Sequence, residues 1–253
     1  MKKESSEIGK LISDHYNGES HYYDETRFGE RALISRRIMD EESSEFLLNL
    51  IRGNSVLELG VGTGRYGLIL SERGYDFVGI DLSSNMLKKA EKKQAFSGID
   101  FQVIRMDAKK LGFREETFDN VICICTFGFL PNPEDVIKEA YRALVPGGRF
   151  LITYLDRDYL PYMFWTWVNK SPKYGFITLY RYQEVREILV RNNFQIIQKK
   201  RILGLPLESV LYSVYNLFPE RILRKILNRL GKLKENGPKK FVSPATLVAS
   251  EKT

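Results

Sequence analysis

From Ser55 onward, short apolar segments alternate with segments whose apolar residues recur at helical intervals. Short apolar segments bounded by turn residues predict buried strands, and a 3.6-residue period predicts amphipathic helices. The predicted strands cover residues 55–59, 76–80, 100–105, 118–125, 149–154, 194–202 and 245–251. The predicted helices cover residues 66–73, 84–96, 133–143 and 181–192. Such alternation is typical of βαβ units, so we predict an α/β fold with a Rossmann-like, seven-stranded, mostly parallel sheet and helices on both faces.

Three segments do not follow this alternation. Residues 1–45 precede the first predicted strand. Residues 156–178, after the fifth strand, are rich in Tyr, Phe and Trp, and residues 205–233, after the sixth, carry basic residues among apolar ones at roughly helical intervals. We therefore predict an N-terminal helical cover over 1–45, a Rossmann-like core over 46–156, and over 157–253 an aromatic and helical cover with the last two strands.

Composition favours a cytoplasmic globular protein. The hydrophobic fraction of 43% and the charged fraction of 28% are ordinary for a soluble domain. No run reaches the roughly 18 apolar residues of a transmembrane helix, and the charged N-terminus does not fit a secretory signal. Cys123 and Cys125 are too few for a disulfide scaffold, and a strand through both would point the two thiols to one face.

The net charge of +7 raises the question of nucleic-acid or membrane binding. A moderately basic chain is more often simply well solvated, so we do not favour a nucleic-acid partner. Residues 207–233 allow two interpretations. A basic amphipathic helix there would either make a peripheral membrane contact or pack its apolar stripe on its own domain, and the second is the commoner arrangement.

The first predicted strand ends in an acid and three alternating glycines, followed by a helix. These residues are Glu58, Gly60, Gly62 and Gly64. Glycines at a strand end let the backbone turn tightly and approach a ligand, and the next helix presents free N–H groups. A purely structural turn is the alternative, but the acid and three glycines together favour a cofactor site.

A dinucleotide site is a competing interpretation. Residues 62–67 satisfy the G-x-G-x-x-G pattern, and Asp81 follows at the spacing expected for a ribose-binding acid. A carboxylate at the end of the second strand suits adenosine in either kind of cofactor. Asp81 could instead be the N-cap of the helix that begins near Ser84.

Further motifs follow in order along the chain and decide between these interpretations. After Glu58-x-Gly60-x-Gly62-x-Gly64 come Gly79-Ile80-Asp81-Leu82-Ser83 with Met86-Leu87, then Met106-Asp107-Ala108, Phe118-Asp119, and Leu144-Val145-Pro146-Gly147-Gly148. In these motifs, from about Ser55 to Asp156, the chain resembles the class I methyltransferases that use S-adenosylmethionine (SAM), in particular the ubiquinone/menaquinone biosynthesis group known as methyltransferase type 11. Dinucleotide dehydrogenases generally lack the acid at Glu58 and the late Pro-Gly-Gly.

The resemblance implies SAM as cofactor, no metal, and a role for each motif. Glu58 would hold the glycine turn and the ammonium end of SAM, Asp107 and Ala108 would grip adenine, and Leu82 and Met86 would enclose it. Asp107 could instead cap a turn, and Met86 could belong to the core. The implied cofactor-binding residues are Tyr23, Glu58, Gly60, Gly62, Gly64, Asp81, Leu82, Met86, Asp107, Ala108 and Cys125.

Methyl transfer from a sulfonium is an in-line displacement, so the protein mainly has to align the reactants and exclude water. No catalytic residue is assigned, because Gly128 and Phe129 stand where relatives frequently have a His pair. Candidate bases in the N-terminal segment are His15, His21, Tyr22, Tyr23 and Asp24. Together with the resemblance, a group of aromatic residues after the fifth strand favours a small, partly apolar acceptor, although these residues could equally pack as a small satellite core. They are Tyr159, Tyr162, Phe164, Trp165 and Trp167. An NAD-dependent oxidoreductase and a non-catalytic SAM-binding regulator are the alternatives.

Overall fold

The computed structural model describes residues 2–27, 34–130, 132–158, 177–202, 221–222, 225 and 245–253. The helices are α1 (Lys2–Glu19), α2 (Tyr23–Arg27), α3 (Ile34–Leu50), α4 (Arg65–Ser71), α5 (Ser84–Ser97), α6 (Pro133–Ala143) and α7 (Tyr182–Arg191). The strands are β1 (Ser55–Leu59), β2 (Asp76–Asp81), β3 (Gln102–Arg105), β4 (Phe118–Cys123), β5 (Leu144–Leu155), β6 (Phe194–Ile202) and β7 (Ala245–Lys252). The aromatic residues between 159 and 167, and most of the segment 207–233, lie outside the described residues.

The seven strands form one sheet in the order β3-β2-β1-β4-β5-β7-β6. Strands β1 to β5 pair in parallel, whereas β7 lies antiparallel between β5 and β6. The predicted α/β fold with a mostly parallel, seven-stranded sheet is confirmed. The common dinucleotide-binding order is 3-2-1-4-5-6, so the inserted antiparallel β7 distinguishes this sheet from that arrangement.

Helices cover both faces of the sheet and bury it. On one face, Val136 of α6 and Leu189 of α7 pack in a cluster with Leu57 of β1. On the other, Leu47 of α3 and Leu70 of α4 pack with the alternate residues of the same strands. Strands buried on both faces are apolar at nearly every position, which is why they appear in the sequence as short apolar runs. No helix in the described part of the chain is long and apolar enough to span a bilayer.

Strand β5 begins earlier than predicted and includes the Pro-Gly-Gly motif. Phe118 pairs with Leu144, but Asn120 pairs with Arg149, so β5 contains extra residues between the two pairs. Gly147 has a φ of 74° there. A glycine in the left-handed region is typical of a β-bulge, so the motif is a bulge within the strand rather than a turn before it.

The prediction that Cys123 and Cys125 lie on one face of one strand is wrong. Strand β4 ends at Cys123, which is buried, while Cys125 is exposed and has a φ of 55°. The Cys125 N–H donates to Oγ1 of Thr153 on β5 (2.5 Å), so its backbone has left the strand geometry. Burial raises the pKa of the Cys123 thiol, whereas Cys125 faces a cleft.

Candidate functional site

A cleft that is partly open to solvent lies at the carboxyl ends of β1 to β4 and against the N-terminal helices. Open α/β sheets bind their ligands at this edge. Most of the residues that the sequence motifs single out line it, namely Tyr23, Gly60, Gly62, Asp81, Leu82, Met86, Asp107, Ala108 and Cys125. Glu58 and Gly64 are not among the lining residues, because Glu58 is buried in β1 and Gly64 is the last glycine of the turn, at the start of α4.

The glycine turn needs glycine for two different reasons. Gly60 has a φ of 79°, and a Cβ there would lie 2.5 Å from Oγ1 of Thr126. Gly62 has a φ of 53°, but a Cβ there would meet no protein atom within 4 Å, because this glycine faces the cleft. Gly64 is the N-cap of α4 and packs against Phe101. The turn therefore combines close internal packing with a bare surface toward a ligand.

Asp81 ends β2 and is hydrogen-bonded on both carboxylate oxygens. The Gly62 N–H donates to Oδ2 (2.9 Å) and the Ser83 N–H donates to Oδ1 (2.8 Å). Burial raises the pKa of Asp81, and these backbone donors act in the opposite direction. The N-cap of α5 is Ser83, which accepts from the Met86 N–H, so Asp81 is not the cap. A carboxylate has about four acceptor positions, so Asp81 can still accept from a ligand in the cleft.

Glu58 is a buried carboxyl group without a complete set of partners. Its side chain is only 2% exposed, and Oε2 has no hydrogen-bond partner among the described residues. Burial raises its pKa well above the ordinary value, and the nearby Asp81 raises it further. A buried acid in this state is stabilised by a cationic ligand. The ammonium group of SAM fits this requirement.

Asp107, Ala108, Leu82 and Met86 line one part of the cleft. Oδ1 of Asp107 accepts from the Lys109 N–H (3.0 Å), and Oδ2 lies 3.5 Å from the Lys109 ammonium. Asp107 therefore does cap a turn, and it also faces the cleft. Met86 is 1% exposed and contributes to both the core and the cleft wall.

Helix α1 forms a side of the cleft that the sequence motifs did not indicate. Gly9, Ile12 and Tyr16 line the cleft from α1. Their spacing of three and four residues places them on one helix face, which is the signal that a helical-period analysis of the first 20 residues could have used. The ring of Tyr16 packs edge-to-face against Tyr23 (6.1 Å between centroids) and Phe129 (5.4 Å), which gives the cleft an aromatic wall.

Thr126 also lines the cleft, and so do five residues to which the sequence analysis assigned no role in the site. They are Ile80, Met106, Lys109, Phe129 and Leu130. All lie near or after the end of a parallel strand, so the sheet brings them together; Ile80 and Met106 stand within the quoted motifs but had no role assigned there.

The two histidines do not line the cleft. His15 lies 3.4 Å from Glu19 on α1, and the carbonyl of His21 accepts from Lys89. Of the candidate bases in the N-terminal segment, only Tyr23 lines the cleft. Asp24 is engaged with Thr63 and Lys93.

Comparisons with known proteins agree with this geometry. The family model described as a methyltransferase domain matches residues 57–152. A phosphatidylethanolamine N-methyltransferase from Cereibacter sphaeroides is 39% identical over 103 residues, which are 40% of this chain and 50% of the relative. A ubiquinone/menaquinone biosynthesis C-methyltransferase from Desulfotalea psychrophila is 45% identical over 101 residues, 37% of this chain and 38% of the relative. The similarity thus spans half or less of these two relatives.

Structural similarity covers more of the chain than these sequence alignments do. The crystal structure of a SAM-dependent methyltransferase from Thermotoga maritima superposes with a TM-score of 0.68 at 17% identity, covering 96% of this chain and 100% of that one. The matching family model, the two relatives and the shared fold agree with one another. The chain therefore belongs to the class I SAM-dependent methyltransferases, in the group that includes the ubiquinone/menaquinone biosynthesis enzymes, and its cofactor is SAM.

Proposed function

We propose that the protein transfers the methyl group of SAM to a small, partly apolar acceptor. The observation that carries this proposal is the composition of one cleft. Asp81, Asp107 and bare glycines line its floor at the ends of β1 to β3, and aromatic and apolar side chains form its wall. The floor suits a polar, cationic cofactor, and the wall suits an apolar molecule next to it.

On this proposal, each part of the floor holds one part of the cofactor. Asp81 accepts hydrogen bonds from the ribose hydroxyls, and Glu58 balances the ammonium group. Asp107 and Ala108 bind the adenine edge, with Leu82 and Met86 against its faces, and Gly60, Gly62 and Gly64 shape the turn beside the methionine portion. Bound SAM supplies a methyl group on an activated sulfonium.

On the same proposal, the aromatic and apolar wall binds the methyl acceptor. The ring of Tyr16 contacts those of Tyr23 and Phe129, and Cys125 and Thr126 follow β4 beside the glycine turn. These residues orient the acceptor and exclude water, which is the main requirement of an in-line displacement. Orientation alone is worth effective concentrations of about 10⁵ M or more, so a cleft without a histidine is compatible with catalysis.

The relatives support an acceptor of this kind, since their names refer to phosphatidylethanolamine and to ubiquinone or menaquinone. We infer a quinone-like or lipid-like acceptor for this chain. The apolar wall favours an apolar or aromatic molecule of this kind over an RNA or protein substrate. A peripheral membrane contact through 207–233 stays a prediction.

The test has two stages. Calorimetric titration of the purified protein with SAM, S-adenosylhomocysteine (SAH) and NAD should give binding of the first two only. Conversion of SAM to SAH is then measured with panels of quinols, phenols, ethanolamine lipids, RNA and protein. We expect turnover with a small apolar class. Binding of NAD instead of SAM, or turnover with RNA or protein alone, would overturn the proposal, and SAM binding without turnover on any panel would favour a non-catalytic regulator.

Replacing Glu58 by glutamine should weaken SAH binding by roughly tenfold or more, because a hydrogen bond to a charged group is worth about 1.5–3 kcal/mol. The same change should stabilise the free protein at neutral pH. Burial raises the pKa of Glu58, so the folded chain retains this proton to a higher pH than the unfolded chain does. The free energy of unfolding therefore falls as the pH rises from about 4.3 toward the raised pKa, and glutamine removes that loss.

Urea denaturation across this pH range, with SAH calorimetry, measures both effects. Glu72→Gln is the control, because Glu72 is exposed and lies just after α4. Glu58→Gln with unchanged SAH affinity would exclude Glu58 from the cofactor site.

A further inference from the structure

We propose that Asp24 is a positioning residue that ties the N-terminal cover to the glycine turn, so that the cofactor site is complete only when the cover is docked. This inference rests on the proposed function, because it concerns the same cleft. The N-terminal cover means here the described residues of α1 and α2. Asp24 acts through Thr63 and Lys93 and does not itself line the cleft.

The contacts of Asp24 form a closed triangle. The Thr63 hydroxyl donates to Oδ1 of Asp24 (2.6 Å), and the Lys93 ammonium donates to the same oxygen (2.7 Å). The Lys93 ammonium also donates to Oγ1 of Thr63 (2.9 Å). Each of the three side chains therefore contacts the other two, and the hydrogen bonds to the carboxylate are charge-assisted.

The three side chains of the triangle differ in their exposure to solvent. Thr63 is 2% exposed, and about a quarter of Lys93 and a third of Asp24 remain exposed. Burial lowers the pKa of the Lys93 amine, and the Asp24 carboxylate opposes that change. Removal of Asp24 would leave a partly buried ammonium and a buried hydroxyl without this carboxylate partner, which is more costly than the loss of an exposed ion pair.

The position of the triangle connects three parts of the site that are far apart in the sequence. Thr63 stands between Gly62 and Gly64 in the glycine turn, and Lys93 is on α5, which follows the ribose-binding acid. Asp24 belongs to the cover, and its neighbour Tyr23 lines the cleft in contact with Tyr16. Docking of Asp24 therefore places Tyr23 in the aromatic wall and holds the glycine turn at the same time.

A second, neutral contact area holds the cover to the loop after β2. Oδ1 of Asn17 accepts from the Ser83 hydroxyl (2.7 Å) and from the Asn85 N–H (3.1 Å). The Ser13 hydroxyl donates to the Leu82 carbonyl (3.2 Å). Together with Asp24, the cover thus contacts the loops on both sides of the cleft. A ligand held between these loops is bound more tightly when the cover is docked, so loss of Asp24 should shorten the residence time of the ligand.

The test compares Asp24→Ala, Lys93→Met and the double variant in the full chain. The readouts are the SAH dissociation rate from stopped-flow displacement, the calorimetric Kd for SAH, and hydrogen exchange of the α1 amides without ligand. We expect Asp24→Ala to raise the dissociation rate and Kd about tenfold, the scale of one charge-assisted hydrogen bond. It should also speed α1 exchange, and the double variant should lose little more than either single variant.

Matched controls remove the same charges from exposed neighbours. The controls are Asp14→Asn and Lys92→Met. Asp14 is exposed on α1, and Lys92 is exposed on α5 next to Lys93. Both should release SAH at the wild-type rate. Lys93→Arg keeps the cation and should restore most of the affinity that Lys93→Met loses. A purely structural Asp24 would lower the melting temperature without speeding SAH release from the folded protein.

The outcomes separate this proposal from the proposed function. If wild-type protein fails to bind SAH, the proposed function itself fails. If wild-type protein binds SAH, and Asp24→Ala has the wild-type dissociation rate and α1 exchange, only the role of Asp24 is overturned. If Asp24→Ala does not fold, Lys93→Met and Lys93→Arg decide, and equal SAH release from both would overturn the proposal.

Discussion

Replacement of Asp81 by alanine is expected to weaken SAH binding by about 1.5 to 3 kcal/mol, which is roughly 10- to 150-fold in Kd. This range corresponds to the loss of hydrogen bonds between the ribose hydroxyls and a charged carboxylate. The variant also removes the acceptor of the Gly62 and Ser83 N–H groups, so the glycine turn loses its tie to the end of β2. Calorimetric titration with SAH gives the affinity directly.

Two further variants separate binding from folding. Asp81→Asn keeps an oxygen that can accept from one backbone N–H and removes the charge, so it should fall between wild type and Asp81→Ala. Asp76→Ala changes an exposed acid at the other end of the same strand and should bind SAH as wild type does. If Asp81→Ala is folded and binds SAH with unchanged affinity, Asp81 does not belong to the cofactor site.

Much of the fold could be predicted because each central strand is buried on both faces. Strand β1 begins and ends where the apolar pattern predicts. The bounds of the more exposed edge strand β6 and of helix α6 were also predicted, so burial on both faces is not the only signal. Element ends were predicted less well where the backbone adopts an unusual conformation. The left-handed φ of Cys125 ends β4 early, and a non-glycine residue gives no sequence sign of such a conformation.

The floor of the cleft was predictable, whereas for the cover the sequence predicted a helical segment and the contact of Tyr23 but not the other contacts. Gly60, Gly62 and Asp81 carry local motifs, and the parallel sheet brings the ends of their strands together. Tyr16 carries only a helical period, which indicates a buried face but not what that face packs against. The contact of Asp24 with Lys93 joins residues 69 positions apart, and nothing in the local sequence of either predicts it.

The role of Glu58 could be predicted from the sequence, but its raised pKa could not. Its place at the end of a strand was evident from the sequence, and the resemblance implied its role. The raised pKa depends on the full burial of the carboxyl group and on its proximity to Asp81 across β1 and β2. Because the strand pairing aligns Glu58 with Gly79 and Leu59 with Ile80, the two acids converge only once the sheet forms.

Gly60→Ala is expected to destabilise the fold by about 2 to 5 kcal/mol and to remove measurable SAH binding at ordinary protein concentrations. Two costs add. The φ of 79° places alanine in the left-handed region, at about 1–2 kcal/mol, and the new Cβ would overlap the side chain of Thr126, for which overpacking costs about 1–3 kcal/mol. The turn cannot relax freely, because the Gly60 N–H donates to the Ile80 carbonyl (2.8 Å) in the neighbouring strand.

A second glycine separates the two costs of Gly60→Ala. Gly74 has a φ of 85°, but a Cβ there would meet nothing within 4 Å, so Gly74→Ala carries the backbone cost alone. In urea denaturation, Gly60→Ala should therefore be clearly less stable than Gly74→Ala. Adding Thr126→Ala to Gly60→Ala should recover part of the difference, because it removes Oγ1 and Cγ2 of Thr126. The recovery is only partial, because the Thr126 Cβ still lies 2.9 Å from the new Cβ at position 60. Equal stability of the two single variants would mean that the contact with Thr126 does not restrict the turn, and that position 60 needs glycine only for its backbone conformation.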